Sequence, residues 1–242
     1  MTVSRLLLAA ALAASAFPAW CLAQDKPNDA VVPAPKTGNW MTRHESFNAK
    51  AKQGDIDLLF IGDSITQGWE GVPPRGGREV WAEFYGKRKA LNLGISGDRT
   101  QNVLWRLDNG NIDGIKPKLA VLMIGTNNSN SNTSEQIAAG VKAIVEKLRA
   151  KLPETKVLVL AVFPRGADKD YPQRKVNEGA NAIIKGLADD KAVFYLDIGP
   201  KFLAEDGTLS TDIMHDRLHL TDKGYRMWAE AIEPAVKKLM GE

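Results

Sequence analysis

The chain has 242 residues, with 32 lysines and arginines against 29 acidic residues, a net charge of +3, one cysteine and three histidines. A charge so close to balance, with no long basic block, argues against nucleic acid as a partner. One cysteine cannot make an intrachain disulfide or a cysteine-rich metal site.

Met1 to Arg5 forms a basic start, residues 6–17 are almost wholly apolar, and Cys21-Leu22-Ala23 is followed by polar residues. This order predicts a secretory signal peptide over residues 1–23, cut after Ala23. The apolar core is too short to span a bilayer well. Trp20 stands before Cys21, where a lipoprotein signal needs a small residue. Cleavage would remove the cysteine and Arg5, leaving a net charge of about +2 and no cysteine chemistry. Export without disulfides fits a bacterial periplasmic or secreted protein with a core large enough to hold itself. No later stretch is long and apolar enough to cross a membrane in the mature form. Residues 24–38, with Pro27, Pro33 and Pro35, read as a linker. Residues 39–242 read as one domain.

Residues 39–52 predict a helix with Asn39 as its cap and Trp40, Phe47 and Lys50 spaced along it. His44 in that helix reads as a packing or surface residue. Strands are expected at residues 58–61, 90–93, 119–124, 157–163 and 193–196. Helical spacing recurs at 99–107, 134–151 and 174–188, and 221–240 closes the chain as a last helix. In 134–151, Ile137, Val141, Ile144 and Leu148 have core spacing. Strand runs that are apolar throughout imply burial on both faces. Alternation of such strands with helices gives a parallel sheet between helical layers. The predicted fold class is α/β, a single flavodoxin-like three-layer domain with a five-stranded parallel sheet.

The first strand runs into Gly62-Asp63-Ser64, the signature of a buried strand feeding a sharp turn. Ser64 reads either as the N-cap of a following helix or as a nucleophile at the carboxyl edge of the sheet, where sites are built. The second strand ends in Asn92-Leu-Gly94-Ile-Ser-Gly97-Asp98, the third in Gly125-Thr-Asn127-Asn128. The Ser64 N–H, the Gly97 N–H and the Asn127 side chain would put three donors around one point, as a tetrahedral oxyanion requires. Gly97 can bring its N–H close to a ligand because no Cβ intervenes. Glycine and asparagine also make ordinary turns.

A serine nucleophile needs a base. Asp212–His215 and Asp216–His219 have the same spacing, and either pair could orient an imidazole toward Ser64. Asp212, His215, Asp216 and His219 also match i, i+3, i+4, i+7 on a helix, which would suit a metal-dependent hydrolase. The cap-like Thr221-Asp-Lys-Gly-Tyr225 instead favours a loop ending there.

These blocks together resemble the GDSL/SGNH hydrolases, and within them bacterial relatives of the platelet-activating-factor acetylhydrolase IB catalytic subunits. The likeness runs from about Trp40 to the C-terminus. It rests on Gly62-Asp-Ser-Ile65, Asn92-Leu-Gly-Ile-Ser-Gly-Asp-Arg99 with Val103-Leu-Trp-Arg-Leu107, Gly125-Thr-Asn-Asn128, Phe163-Pro-Arg-Gly166 and Asp216-Arg-Leu-His-Leu-Thr221. The resemblance implies Ser64 as nucleophile, His219 as base held by Asp216, and Ser64, Gly97 and Asn127 as the oxyanion hole. It leaves Asp212 and His215 outside the triad, and implies no metal and no cofactor. Ser96 replaces a glycine common in such relatives, and residues 69–78 are longer and more polar than expected. The implied activity is a serine carboxylester hydrolase for short acyl groups, acetyl first, because no long apolar insertion could serve as a lid. Export, and Trp69 or arginines offered by residues 69–78, suggest an acetylated glycan as substrate, with a homodimer left open. A non-catalytic carbohydrate-binding module on the same scaffold is the alternative from another class.

Overall fold

The computed structural model describes residues 27–242, so the expected signal peptide and residues 24–26 lie outside the described residues. Five strands form one parallel sheet: β1 (Leu58–Gly62), β2 (Ala90–Gly94), β3 (Leu119–Met123), β4 (Lys156–Leu160) and β5 (Val193–Leu196). Their order is β2-β1-β3-β4-β5, the flavodoxin-like order expected. Gly62 is in register with Gly94 on one side and Met123 on the other. The loops after β1, β2 and β3 therefore leave the same edge side by side, at the point where strand order reverses.

The helices are α1 (Asn39–Lys52), α2 (Ser64–Gln67), α3 (Arg78–Phe84), α4 (Thr100–Asp108), α5 (Ser134–Lys151), α6 (Pro172–Ile184) and α7 (Asp222–Met240). Successive residues of a strand point to opposite faces. Leu59 and Ile61 accordingly pack with apolar residues of α1, α4, α5 and α6, while Leu58 and Phe60 pack with α3 and α7. Burial on both faces is why β1 and β3 carry no exposed position.

Several boundaries differ from expectation for local reasons. Gly38, with φ of +64°, is the cap of α1, and Asn39 is already helical. The apolar run expected as strand to residue 163 leaves the ladder after Leu160. Asn181 takes over there: its side chain accepts from Val162 N at 2.8 Å and donates to Val162 O at 2.9 Å. Helix α6 begins at a proline and passes into a 3-10 turn at Lys185–Leu187. Helix α3 was not expected at all, because the glycines and prolines just before it dominate the local signal.

The stretch expected as linker is docked where it is described. Ala30 is buried, and its carbonyl accepts from Thr100 Oγ1 at 2.7 Å. Ala34 N donates to Gln101 O at 3.1 Å, and Asp29 pairs with Arg99 at 3.2 Å.

Candidate active site

The turn after β1 is built by close packing. A Cβ on Gly62 would lie 2.1 Å from Thr66 Oγ1 and 2.4 Å from Met123 O, so only glycine lets α2 fold back on the strand end. Asp63, not Ser64, is the N-cap: its Oδ1 accepts from Ile65 N at 3.0 Å. That frees the Ser64 hydroxyl, which sits 2.9 Å from His219 Nε2. Tyr225 on α7 pins the turn from behind, donating from its hydroxyl to Ile65 O at 2.7 Å.

Residues 211–220 form turns closed by a bridge between Met214 and Leu220, not a helix. Asp216 Oδ1 accepts from the backbone N–H groups of Leu218 (3.0 Å) and His219 (2.7 Å). Asp216 Oδ2 lies 2.7 Å from His219 Nδ1. A carboxylate only accepts, so Nδ1 carries the proton and the Nε2 lone pair faces the Ser64 hydroxyl. Partial burial disfavours charge on Asp216, but the backbone and ring N–H of His219 outweigh it and hold the carboxyl below its usual range. Thr221 caps α7, accepting from Gly224 N at 3.2 Å.

The helical metal set read from spacing is not formed, and Asp212 is not part of the cluster. His215, Asp216 and His219 do bring ligand atoms within 4.8 Å of one another. The His215 ring stacks on His219 with centroids 6.1 Å apart. The third histidine, His44, lies on α1 between Trp40 and Trp105, bonded to Asn48 and Asn111, and burial holds its pKa down.

The expected oxyanion donors sit on the loops after β2 and β3. Gly97 has a φ of +73°, a left-handed conformation that favours glycine. Asn127 Nδ2 donates to Asp98 O at 2.9 Å, which uses one of its two N–H bonds and fixes the amide. Asp98 is itself anchored: Oδ1 accepts from Trp40 Nε1 at 2.6 Å and Oδ2 from Arg106 Nε at 2.9 Å. The Asp98 and Arg106 side chains are both fully buried. Breaking one side of such a pair typically costs about 3–5 kcal/mol. Lys36, from the stretch expected as linker, donates from Nζ to Gly97 O at 2.5 Å. Burial lowers its pKa, and Asp98 partly offsets this. Sequence reasoning missed Lys36, Trp40 and Arg106 as supports of this loop. Arg106 lies inside a recognised block, eight residues from Asp98, but nothing local signals the Lys36–Gly97 contact across 61 residues or the Trp40–Asp98 contact across 58.

Asp63 is fully buried and its Oδ2 has no partner among the described residues. Burial pushes its carboxyl up to about 7, against the pull of the Ile65 N–H.

Ser64 and His219 open on a cleft of about 480 Å³, lined also by Glu70, Arg75, Arg78, Ser96 and His215. Among the described residues no aliphatic side chain lines it and, histidines apart, Tyr225 is the aromatic one that does. Trp69 corrects an expectation: it is 1% exposed, packed 4.9 Å from Trp228 and edge-on to Phe60, and offers no face to a sugar.

A family model, the GDSL-like Lipase/Acylhydrolase family, matches residues 60–227. The chain is 38% identical over 206 residues to platelet-activating factor acetylhydrolase IB subunit alpha1 of Homo sapiens, covering 85% of this chain and 86% of that one. A solved GDSL-like lipase of Bacteroides thetaiotaomicron superposes with a TM-score of 0.62 at 22% identity, covering 81% of this chain and 97% of that one. A solved acetyl xylan esterase superposes with a TM-score of 0.62 at 26% identity, covering 75% of this chain and all (100%) of that one. With a family model over most of its length and such a relative, the chain belongs to the GDSL-like lipase/acylhydrolase family and is an ester hydrolase.

Proposed function

We propose that the protein is an exported serine esterase that removes short acyl groups, acetyl first, through an acyl-enzyme on Ser64. The observation that carries this reading is the continuous relay from Ser64 Oγ to His219 Nε2 (2.9 Å) and from His219 Nδ1 to Asp216 Oδ2 (2.7 Å). As Ser64 Oγ bonds to the ester carbonyl carbon, its proton passes to His219 Nε2. The carbonyl π pair moves onto oxygen, where Ser64 N–H, Gly97 N–H and the second Asn127 N–H would receive it. Collapse breaks the bond to the alcohol oxygen, which takes the proton from His219 Nε2. Water then attacks the acyl-enzyme, giving its proton to the same nitrogen, and Ser64 leaves with it. Asp216 keeps its charge throughout and stabilises the imidazolium.

The polar cleft supports a short acyl group and a hydrophilic alcohol. The chain's likeness to an acetyl xylan esterase supports an acetylated carbohydrate as the natural class of substrate. The N-terminal pattern of residues 1–23 supports export to the periplasm or beyond. The test is hydrolysis of p-nitrophenyl acetate by the protein and by Ser64→Ala. Activity that vanishes in the variant is expected; activity that survives it overturns the assignment.

A further inference from the structure

The cleft beside Ser64 has a charge pattern that the reaction itself does not need. The leaving alcohol must collect a proton from His219, and His219 lines the same cleft as Ser64, so the alcohol portion of the ester is held in that cleft. Histidines apart, the charged side chains lining it are Glu70, Arg75 and Arg78. Glu70 is already neutralised: Arg43 grips its carboxylate with two bonds, at 3.0 and 2.9 Å. Arg78 is engaged with the Glu70 carbonyl, through Nε at 3.0 Å and Nη2 at 2.8 Å. The Arg75 guanidinium has no hydrogen-bond or ion-pair partner among the described residues. The nearby acids do not compensate. Asp216 is committed to His219, while Glu79 and Asp222 face a separate hollow with Lys223 and Arg226.

The strap that carries Arg75 is fixed in place. Gly71 N and Gly77 N both donate to Gly68 O at 3.0 Å, Arg78 N donates to Gly71 O at 3.0 Å, and Pro74 O accepts from Asp222 N at 3.2 Å. The backbone beneath Arg75 is thus already ordered, and binding would have to order only its side chain. A planar guanidinium matches a carboxylate or phosphate with two parallel N–H bonds.

We propose that Arg75 makes this cleft a subsite for an anionic group, a carboxylate or a phosphate, carried on the alcohol portion of the ester. The proposal rests on the Ser64 esterase reading and names its substrate class. Two matched pairs of acetyl esters test it: O-acetylated methyl glucuronoside against O-acetylated methyl glucoside, and acetylglycerol phosphate against acetylglycerol. The readout is the ratio of kcat/KM within each pair, for the protein, Arg75→Gln, Arg75→Lys and Lys223→Gln. At least one anionic ester should be preferred by about 10- to 100-fold, the range of one charged hydrogen-bonded contact. Arg75→Gln should abolish the preference, Arg75→Lys should keep part of it, and Lys223→Gln in the neighbouring hollow should keep all of it. Preference in the uronate pair alone assigns a carboxylate, and in the phosphate pair alone a phosphate. Equal ratios, or a preference that survives Arg75→Gln, overturn the proposal. Ser64-dependent hydrolysis of p-nitrophenyl acetate, run alongside, separates the failures: its presence without an anionic preference removes this proposal alone, and its absence removes the esterase reading with it.

Discussion

Lys36 Nζ donates to the carbonyl oxygen of Gly97 at 2.5 Å, so a residue ahead of the first helix holds the loop that carries an expected oxyanion donor. Replacing Lys36 with methionine should lower kcat on p-nitrophenyl acetate by about tenfold with little change in KM, the scale of one charge-assisted hydrogen bond. Lys36→Arg should restore part of the loss. A fall confined to KM would show that Lys36 does not act through the Gly97 loop.

Asn127 spends one N–H on Asp98 O and keeps one for the site. Asn127→Ala should therefore cost roughly a hundred- to a thousandfold in kcat, the usual loss for one oxyanion donor. Asp216→Asn should cost about 10⁴-fold by stabilising the wrong imidazole tautomer. Near-normal turnover in Asn127→Ala would remove it from the oxyanion hole.

Asp63 gives a stability prediction with a definite sign. Its carboxyl rises from 3.8 to about 7 on burial. Below that window it is protonated in both folded and unfolded chains. Within the window the folded protein retains a proton that the unfolded chain has lost, so stability falls as pH rises from about 4 to about 7. Asp63→Asn keeps the acceptor for Ile65 N and removes the buried charge. Its Tm should fall less than that of the parent between pH 4.5 and 7.5, in roughly the pH range of that window. Parallel Tm curves for the two proteins would contradict the assignment.

His215, Asp216 and His219 lie close enough to share a cation, yet both nitrogens of His219 are engaged in the relay. Hydrolysis of p-nitrophenyl acetate should therefore survive EDTA. Loss of activity on chelation, restored by a divalent metal and retained in Ser64→Ala, would move the chemistry to that cluster.

The fold was legible because its strands are apolar on both faces, and only a sheet covered by helices on both sides can use such strands. The relay was half legible. Spacing put an acid three residues before each of two histidines, and family resemblance was needed to prefer Asp216–His219 over Asp212–His215. What stayed hidden depends on contacts across the chain. Trp69 looked like a surface aromatic in a polar segment, and its burial follows from Phe60 and Trp228, which no local pattern places beside it. Ser64 reads as a possible N-cap in the sequence, and the backbone gives that role to Asp63 instead. Helix α3 carries Val80 and Phe84 at helical spacing, but the preceding glycines and prolines drew attention to a loop.

The stretch that matches the family, residues 60–227, contains every group proposed to touch the ester. It contains neither Lys36 and Trp40, which hold the Gly97–Asp98 loop from one side of the sheet, nor Trp228, which packs under the nucleophile turn from the other. Transplanted into another scaffold, the motif-bearing segment would arrive with its chemistry and without the two ends of the chain that clamp it. Anyone grafting or recombining this enzyme would have to move the flanks together with the motifs, because here modularity stops at the clamps and not at the motifs.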